Sequence, residues 1–152
     1  MPVSGRTTSV TDALGGKTEF THDIVGNVTV QKDPDGLQTT TAYDSSYRPK
    51  SVTDPRTGRI VREFDANGNV TKETNDANQV TEREYNSRQW LIRITVATGT
   101  PDATTTRFEY DKVGNRTAVV TRRGRWSYAY NELNLVTTET DPNGRPATFQ
   151  YD

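Results

Sequence analysis

The sequence has no cysteine, a single histidine and only five leucines among its 152 residues. The absence of cysteine excludes disulfides and thiolate chemistry, and one histidine leaves too few ligands for a zinc site. Hydrophobic residues amount to 30%, below the ~45–50% apolar usage of an ordinary globular domain. A conventional layered core is therefore not expected.

Long apolar runs are missing as well. No stretch approaches the ~18 residues that a membrane-spanning helix needs. The first ten residues, MPVSGRTTSV, lack the apolar segment of a signal peptide. We expect no membrane insertion, and a chain that is either cytoplasmic when made or a fragment of a larger exported protein.

The chain is nearly neutral, because its 19 Lys and Arg residues and its 20 Asp and Glu residues give a net charge of −1. The two signs alternate finely and give no broad basic face, which argues against nucleic acid as a partner. Disorder favours low hydrophobicity together with high net charge, and only the first holds here. What the chain has instead is 26 Thr, 14 Val and 13 aromatic residues, a composition that favours β structure.

A ring followed by an aspartate or asparagine recurs along the chain at nearly constant spacing. The leading residues are separated by 21, 21, 21, 25, 20 and 21 residues. This periodicity predicts a single array over residues 1–152, with six to seven repeats of roughly 21 residues. The pairs are His22-Asp23, Tyr43-Asp44, Phe64-Asp65, Tyr85-Asn86, Tyr110-Asp111, Tyr130-Asn131 and Tyr151-Asp152.

Turn signals recur in two phases of the repeat. Gly26, Gly68 and Gly114 stand four residues after the leading ring, and Asp-Pro pairs at Asp33, Asp54 and Asp141 fall midway between rings. Gly tolerates positive φ, Pro presets φ, and Asp bonds to its own backbone. Each repeat is therefore predicted to hold two turns and two short strands, for example residues 70–74 and 80–85, in an all-β array of antiparallel hairpins that forms an extended, curved meander sheet.

Alternate residues of a strand share a face, and the large rings fall in one phase. Trp126, Tyr128 and Tyr130 form the longest such row, while Glu82, Glu84 and Glu109 are in the opposite phase. The residues that begin the return strands are mostly apolar, with Pro49 and Arg116 as exceptions. Arg62 and Arg83 share the aromatic phase, where they either lie over neighbouring rings or mark a partly hydrated region. Since one repeat cannot bury this stripe alone, neighbouring repeats are expected to stack.

The periodic ring-Asp-x-x-Gly-Asn unit resembles the YD repeat of bacterial RHS proteins, Tc toxin shell components and teneurins. The resemblance covers about residues 12–152 and implies a long β-sheet that spirals into a hollow shell. It further implies a secreted or cell-surface, toxin-delivery context, a C-terminal toxin or effector domain as cargo, and flanking repeats in a larger parent. The sequence has no counterpart of the segment with autoproteolytic aspartates that follows such repeats, so we expect a fragment of a larger protein or a very short array.

No constellation of residues points to catalysis, a cofactor or a metal. The aspartates at positions 33, 35, 54 and 141 have a structural reason to stand in turns, and His22 fills an aromatic slot. The leading hypothesis is a non-enzymatic scaffold; the alternative is a carbohydrate- or protein-binding cell-surface module with ligand contacts at Trp126, Tyr128 and Tyr130. An open sheet also exposes two edges, which predicts self-association of the isolated chain through its edges or its aromatic face.

Overall fold

The computed structural model describes residues 5–152, which contain fourteen β-strands and no helix. Accordingly, no helix that could cross a membrane occurs in this range. The strands are β1 (Ser9–Thr11), β2 (Lys17–His22), β3 (Val28–Lys32), β4 (Gln38–Tyr43), β5 (Pro49–Asp54), β6 (Gly58–Phe64), β7 (Val70–Thr74), β8 (Val80–Tyr85), β9 (Leu91–Val96), β10 (Thr104–Tyr110), β11 (Arg116–Thr121), β12 (Gly124–Tyr130), β13 (Val136–Thr140) and β14 (Pro146–Thr148). The prediction of an all-β meander is confirmed, and β7 and β8 have the predicted bounds.

The strands are antiparallel and follow one another in the sheet in chain order. The chain divides into two compact units. The first consists of residues Met1–Glu63 and Glu73–Asn78, and the second of Phe64–Lys72 and Gln79–Asp152. Strands β1 to β5 lie wholly in the first unit and β8 to β14 wholly in the second. In both units sequential strands pair as hairpins, because loops of a few residues can join only antiparallel neighbours.

A β-bulge recurs in five of the hairpins, next to the leading residue of each. In the first unit the ladder shifts between Thr21 and His22 and again between Ala42 and Tyr43. In the second unit it shifts before Tyr85, Tyr110 and Tyr130. Each bulge pairs the ring with the residue six positions later, as Tyr130 pairs with Val136. This pairing explains the column of return-strand residues seen in the sequence, since one extra residue on the return strand sets the register.

The longest interval between leading rings comes from one enlarged loop. Between β9 and β10 the chain turns through residues 97–103, where Thr100 donates its backbone N–H to Ala97 O and Ala103 donates to Thr100 O. Ala97 itself takes a positive φ of 56°. The 25-residue interval is therefore the usual pair of strands with a longer connection, and the strand pairing on either side is unchanged.

Few side chains of the described residues are fully shielded from solvent. Among the described residues only Ala118 is a fully buried apolar side chain. The low hydrophobic content is thus matched to a fold in which most side chains are half-buried or exposed.

Candidate functional site: the aromatic face and the turn aspartates

The term aromatic face is used here for the side of the sheet that carries the leading rings, and polar face for the opposite side. In β4 the ring-bearing phase Thr39, Thr41 and Tyr43 is half-buried, while the alternate residues Gln38, Thr40 and Ala42 are exposed. In β10 Phe108 and Tyr110 are half-buried and Glu109 is exposed. Both units show the alternation that the sequence predicts. Phe20 and the leading rings at positions 43, 64, 85, 110 and 130 all lie on strands.

Each leading tyrosine is fixed by its hydroxyl to the repeat before it. Tyr110 donates to the backbone carbonyl of Leu91 at 2.8 Å, and Leu91 is the residue that pairs with the preceding leading ring, Tyr85. The same bond recurs in both units, so the hydroxyl ties consecutive hairpins together in addition to the backbone ladder. The five bonds are Tyr43 to Val28 at 2.9 Å, Tyr85 to Val70 at 3.2 Å, Tyr110 to Leu91 at 2.8 Å, Tyr130 to Arg116 at 2.8 Å and Tyr151 to Val136 at 2.7 Å.

The aspartate or asparagine that follows each leading ring accepts hydrogen bonds from the loop behind it. Oδ1 of Asp23 accepts the backbone N–H groups of Val25, Gly26 and Asn27 at 2.8–3.0 Å, and its Oδ2 accepts the Asn27 side-chain amide at 2.8 Å. The Asn27 side-chain hydrogen bond, followed by the backbone N–H bonds, lowers the pKa of Asp23 below its usual value despite partial desolvation. The carboxylate therefore replaces the strand ladder as hydrogen-bond acceptor where the chain reverses.

The recurrent Gly-Asn pair has two separate roles in this loop. Gly26 and Gly114 have positive φ values of 110° and 105°, and a Cβ on Gly114 would lie 3.0 Å from the Trp90 ring. The asparagine that follows binds the second carboxylate oxygen, as Asn115 does with Asp111 at 3.0 Å. In the degenerate repeat of Asp44, Arg48 takes over that second role and binds Oδ2 of Asp44 at 2.7 Å.

Positions without glycine keep the same backbone conformation. Tyr47, Gln89 and Asn134 have positive φ values of 60°, 67° and 60°. Left-handed backbone costs a non-glycine residue roughly 1–2 kcal/mol. These degenerate repeats therefore retain the loop geometry at the expense of local strain.

The mid-repeat turns use the same loop as the turns behind the rings, a relation that sequence reasoning missed. Asp33 donates its N–H to Leu37 O and accepts from Gly36 N, and Asp141 repeats this with Arg145 and Gly144. The signal was present in the sequence, because an Asp or Asn recurs every ten or eleven residues from Asp12 to Asn86. The hairpin loop is thus a half-repeat unit.

Two of the mid-repeat turn aspartates form ion pairs with an arginine of the next repeat. Nη2 of Arg56 lies 2.7 Å from Oδ2 of Asp33 and 3.3 Å from Oδ2 of Asp35. The Arg56 hydrogen bond is the main cause that lowers the pKa of Asp33. Within residues 5–152 no three His, Asp or Glu side chains converge to hold a metal ion.

Two arginine side chains, Arg62 and Arg116, lie on the aromatic face. The guanidinium of Arg116 lies 5.8 Å from the Phe108 ring centroid and 5.7 Å from that of Tyr128. Arg116, which stands where most return strands begin with an apolar residue, therefore makes cation–π contacts with two rings. In the first unit Arg62 donates from Nε to Oε2 of Glu73 at 2.9 Å. For Arg62, whose place among the rings was open from the sequence, the structure shows an ion pair.

An ion pair links two strands on the polar face of the second unit. Arg125 binds Glu109 through both terminal nitrogens, at 2.6 and 2.8 Å. These residues lie on β12 and β10, and the strand between them presents Ala118, which has no exposed surface. A small side chain at this position lets the ion pair pass over β11. The same hydrogen bond from Arg125 lowers the pKa of Glu109.

The candidate ligand residues lie together on β12. Trp126, Tyr128 and Tyr130 are half-buried in one phase and pair with Val119, Glu139 and Val136. Burial raises the pKa of Tyr130, whose hydroxyl is already bonded to Arg116 O. Trp126 also borders a cleft with residues of the enlarged loop and the β11–β12 turn, among them Asp102 and Arg122.

Comparison with curated proteins gives two toxin relatives. The chain is 24% identical over 147 residues to the double-stranded DNA deaminase toxin A of Burkholderia cenocepacia and 26% identical over 150 residues to the toxin protein Tse5 of Pseudomonas aeruginosa. Each alignment covers 97% of this chain but 10% of the relative. The chain therefore spans about a tenth of the length of these proteins.

Solved structures show the same fold. The chain superposes on the Tc holotoxin pore of Photorhabdus luminescens with a TM-score of 0.70 at 23% identity, covering 81% of this chain and 7% of that one. The TcdB2–TccC3 complex without its hypervariable C-terminal region gives a TM-score of 0.71 at 23% identity, covering 82% and 7%. At this level of identity the likeness concerns the fold.

The family model described as RHS Repeat matches residues 3–36, 25–59 and 64–101, which is more than half of the chain. These matches fall on the hairpins whose rings, bulges and loop aspartates recur in both units. The chain belongs to the RHS repeat family.

Proposed function

We propose that this chain is a non-catalytic scaffold, one segment of a larger RHS-type shell that encloses or presents a C-terminal toxin or effector domain of its parent. The observation that carries the proposal is the tyrosine bond from each hairpin to the one before it, as in Tyr110 to Leu91 and Tyr130 to Arg116. Such bonds favour continuous growth of a sheet and use the ring hydroxyls for assembly. The toxin relatives, of which the chain covers 10%, support a parent much longer than this segment.

Residue chemistry supports a structural role over catalysis. The titratable groups with lowered pKa values are mostly loop aspartates bonded to backbone N–H groups, as in Asp44 and Asp141. These carboxylates have used their acceptor capacity on the loop. We infer that the parent is exported, because a toxin shell acts on other cells, and that its effector activity resides outside this segment.

The scaffold proposal is tested on the whole gene product that contains this chain. Limited proteolysis should leave the C-terminal effector region protected in the native protein. Removing one complete repeat, residues 65–85, should open the shell and make that region cleavable while the other repeats stay β-structured by circular dichroism. If the effector region is cleaved equally fast with and without the repeat, the enclosing role is wrong.

A second candidate function is carbohydrate binding at Trp126, Tyr128 and Tyr130. It is favoured by the alignment of the three rings in one phase of β12, since aromatic faces can pack on the apolar faces of sugar rings. A glycan array tests it, with Trp126→Ala as the variant that should lose binding. No binding to any glycan at high protein concentration would remove this function.

We also propose that the isolated chain self-associates. The terminal strands β1 and β14 are exposed at all three residues each, and exposed strand edges pair with other chains. Multi-angle light scattering over a range of concentrations should show a mass above 17.0 kDa that rises with concentration. A monomeric mass at every concentration would contradict it.

A further inference from the structure

The loops behind the leading residues differ from one repeat to the next in a regular way at their last two positions. The first of these, called here the left-handed position, has a positive φ in each of these loops and is glycine in every second one. The position after it is asparagine in those same loops and a larger side chain in the others. In chain order the pairs are Gly26-Asn27, Tyr47-Arg48, Gly68-Asn69, Gln89-Trp90, Gly114-Asn115 and Asn134-Leu135.

Backbone conformation does not explain this alternation. Glycine adopts a positive φ at the lowest cost, and three successive mid-repeat loops of the first unit have it there, at Gly15, Gly36 and Gly58. A residue other than glycine in every second loop behind the leading residues therefore indicates a requirement that comes from the neighbouring loop.

A glycine loop makes room for the large side chain of the loop before it. In the second unit Trp90 lies against Gly114, where an added Cβ would come within 3.0 Å of the indole ring. In the first unit Arg6, which stands one repeat before Asn27, lies against Gly26, and its guanidinium atoms are 3.3 Å from the place of such a Cβ. The large residue and the glycine that faces it thus belong to consecutive loops.

A glycine loop also bonds to the loop after it, through its asparagine. Nδ2 of Asn115 donates to Oδ1 of Asn134 at 2.8 Å, and the side-chain amide of Asn69 donates in the same way to that of Gln89. Both acceptors stand at the left-handed position, where a glycine has no side-chain oxygen to offer. The strained residues therefore supply the partner that the preceding asparagine needs.

We propose that the array is built in units of two repeats, and that the loops behind the leading residues determine which repeat can follow which. A loop that ends in a large side chain fits before a glycine loop, because a side chain at the next left-handed position would collide with it. A loop that ends in asparagine fits before a loop with a side chain at that position. Each repeat contacts its neighbours in such an array, so the two kinds of step fix the order of the repeats. The inference goes beyond the scaffold role and does not depend on an enclosed effector.

Two deletions from the full chain test this order at a single loop. Removing residues 111–130 or residues 86–130 leaves a leading tyrosine directly before the loop that contains Asn134, as in the intact chain. That loop then follows the loop of Trp90 in the shorter deletion and the loop of Asn69 in the longer one. The longer deletion keeps an asparagine loop before it, and only the shorter deletion breaks the order.

Asn134→Gly, made in the intact chain and in both deletions, measures the fit to the preceding loop by the shift of the urea midpoint. The relief of left-handed strain is common to the three proteins and cancels when they are compared. In the shorter deletion the midpoint should rise, because Trp90 regains the glycine that it faces in the intact chain. In the other two proteins the rise should be smaller or become a fall, since an amide bond is lost. Equal shifts in all three overturn the proposal.

A double-mutant cycle on the full chain decides the question even if the shorter deletion does not fold. Asn115→Ala should lower the urea midpoint less in the Asn134→Gly variant than in the intact chain, because the bond between the two residues is already absent. The matched control is Asn27→Ala with Tyr47→Gly, at the same positions of the first unit, where Tyr47 has no amide to accept the bond; these two effects should add. An equal loss for Asn115→Ala with and without Asn134→Gly contradicts the proposed order.

Discussion

Replacing Tyr110 by phenylalanine isolates the contribution of the hydroxyl bond between repeats. The variant loses the 2.8 Å bond from the hydroxyl to Leu91 O and keeps the ring against Trp90, at a centroid distance of 5.3 Å. A net hydrogen bond contributes about 0.5–1.5 kcal/mol. Because Leu91 is half-buried and water can partly replace the lost donor, we expect the free energy of unfolding to fall by about 1 kcal/mol.

Urea unfolding followed by circular dichroism measures this change, and a thermal midpoint about 2–4 °C lower would accompany it in a chain of this size. Tyr47→Phe is the matched control, since Tyr47 is 59% exposed in a loop and its hydroxyl makes no hydrogen bond within residues 5–152. Tyr43→Phe in the first unit should repeat the loss, because its hydroxyl makes the equivalent bond. If Tyr110→Phe and Tyr47→Phe agree within about 0.3 kcal/mol, the hydroxyl bonds do not hold the repeats together.

Three further predictions concern the loops and the polar face. The lowered pKa of Asp23 means that its stabilising effect is complete above the ordinary value of 3.8 and is lost as pH falls through the lower folded value. Asp23→Asn should therefore make the urea midpoint less dependent on pH between about pH 4 and pH 2, and an unchanged slope would contradict this role. Gly114→Ala should lower the free energy of unfolding by at least about 1 kcal/mol more than Gly144→Ala does. Both glycines have positive φ, but only at position 114 would the added Cβ lie 3.0 Å from Trp90. Equal urea midpoints for the two variants would show that the Trp90 side chain moves away without cost. Ala118→Val should lower the free energy of unfolding by about 1–3 kcal/mol through overpacking beneath an ion pair, measured in the same way, and a neutral result would mean that the ion pair moves aside.

Turn-forming residues and the alternation of side chains account for the part of the fold that could be predicted from the sequence. The bounds of β7 and β8 follow from the turn residues on either side of them, and the alternation of rings with glutamates gives the two faces. Both signals depend on neighbours within a few residues, which is why a single sequence contains them. The sequence also contains the signal that the mid-repeat loops and the ring-following loops are alike, because Asp23, Asp33 and Asp141 share the Asp-x-x-Gly spacing.

The candidate site depends on distances that no local pattern gives. Nothing in the sequence pairs Arg125 with Glu109 across Ala118, since that contact depends on which strands lie side by side and in what register. The same holds for Arg116, which looks like an interruption of the apolar column and lies between the rings of Phe108 and Tyr128. Long side chains contact residues two strands away. A shift of one residue in the strand register would place each of these side chains on the opposite face of the sheet.

The sequence by itself determined that this protein is a periodic antiparallel β array, because turn chemistry and a two-residue alternation of rings are local properties of the chain. Only the tertiary structure shows which contacts join each repeat to the one before it. The bulges beside the leading residues set the register, and that register brings each leading tyrosine hydroxyl to a carbonyl of the preceding repeat. These contacts join residues far apart in the chain, and their geometry exists only once the strands are paired.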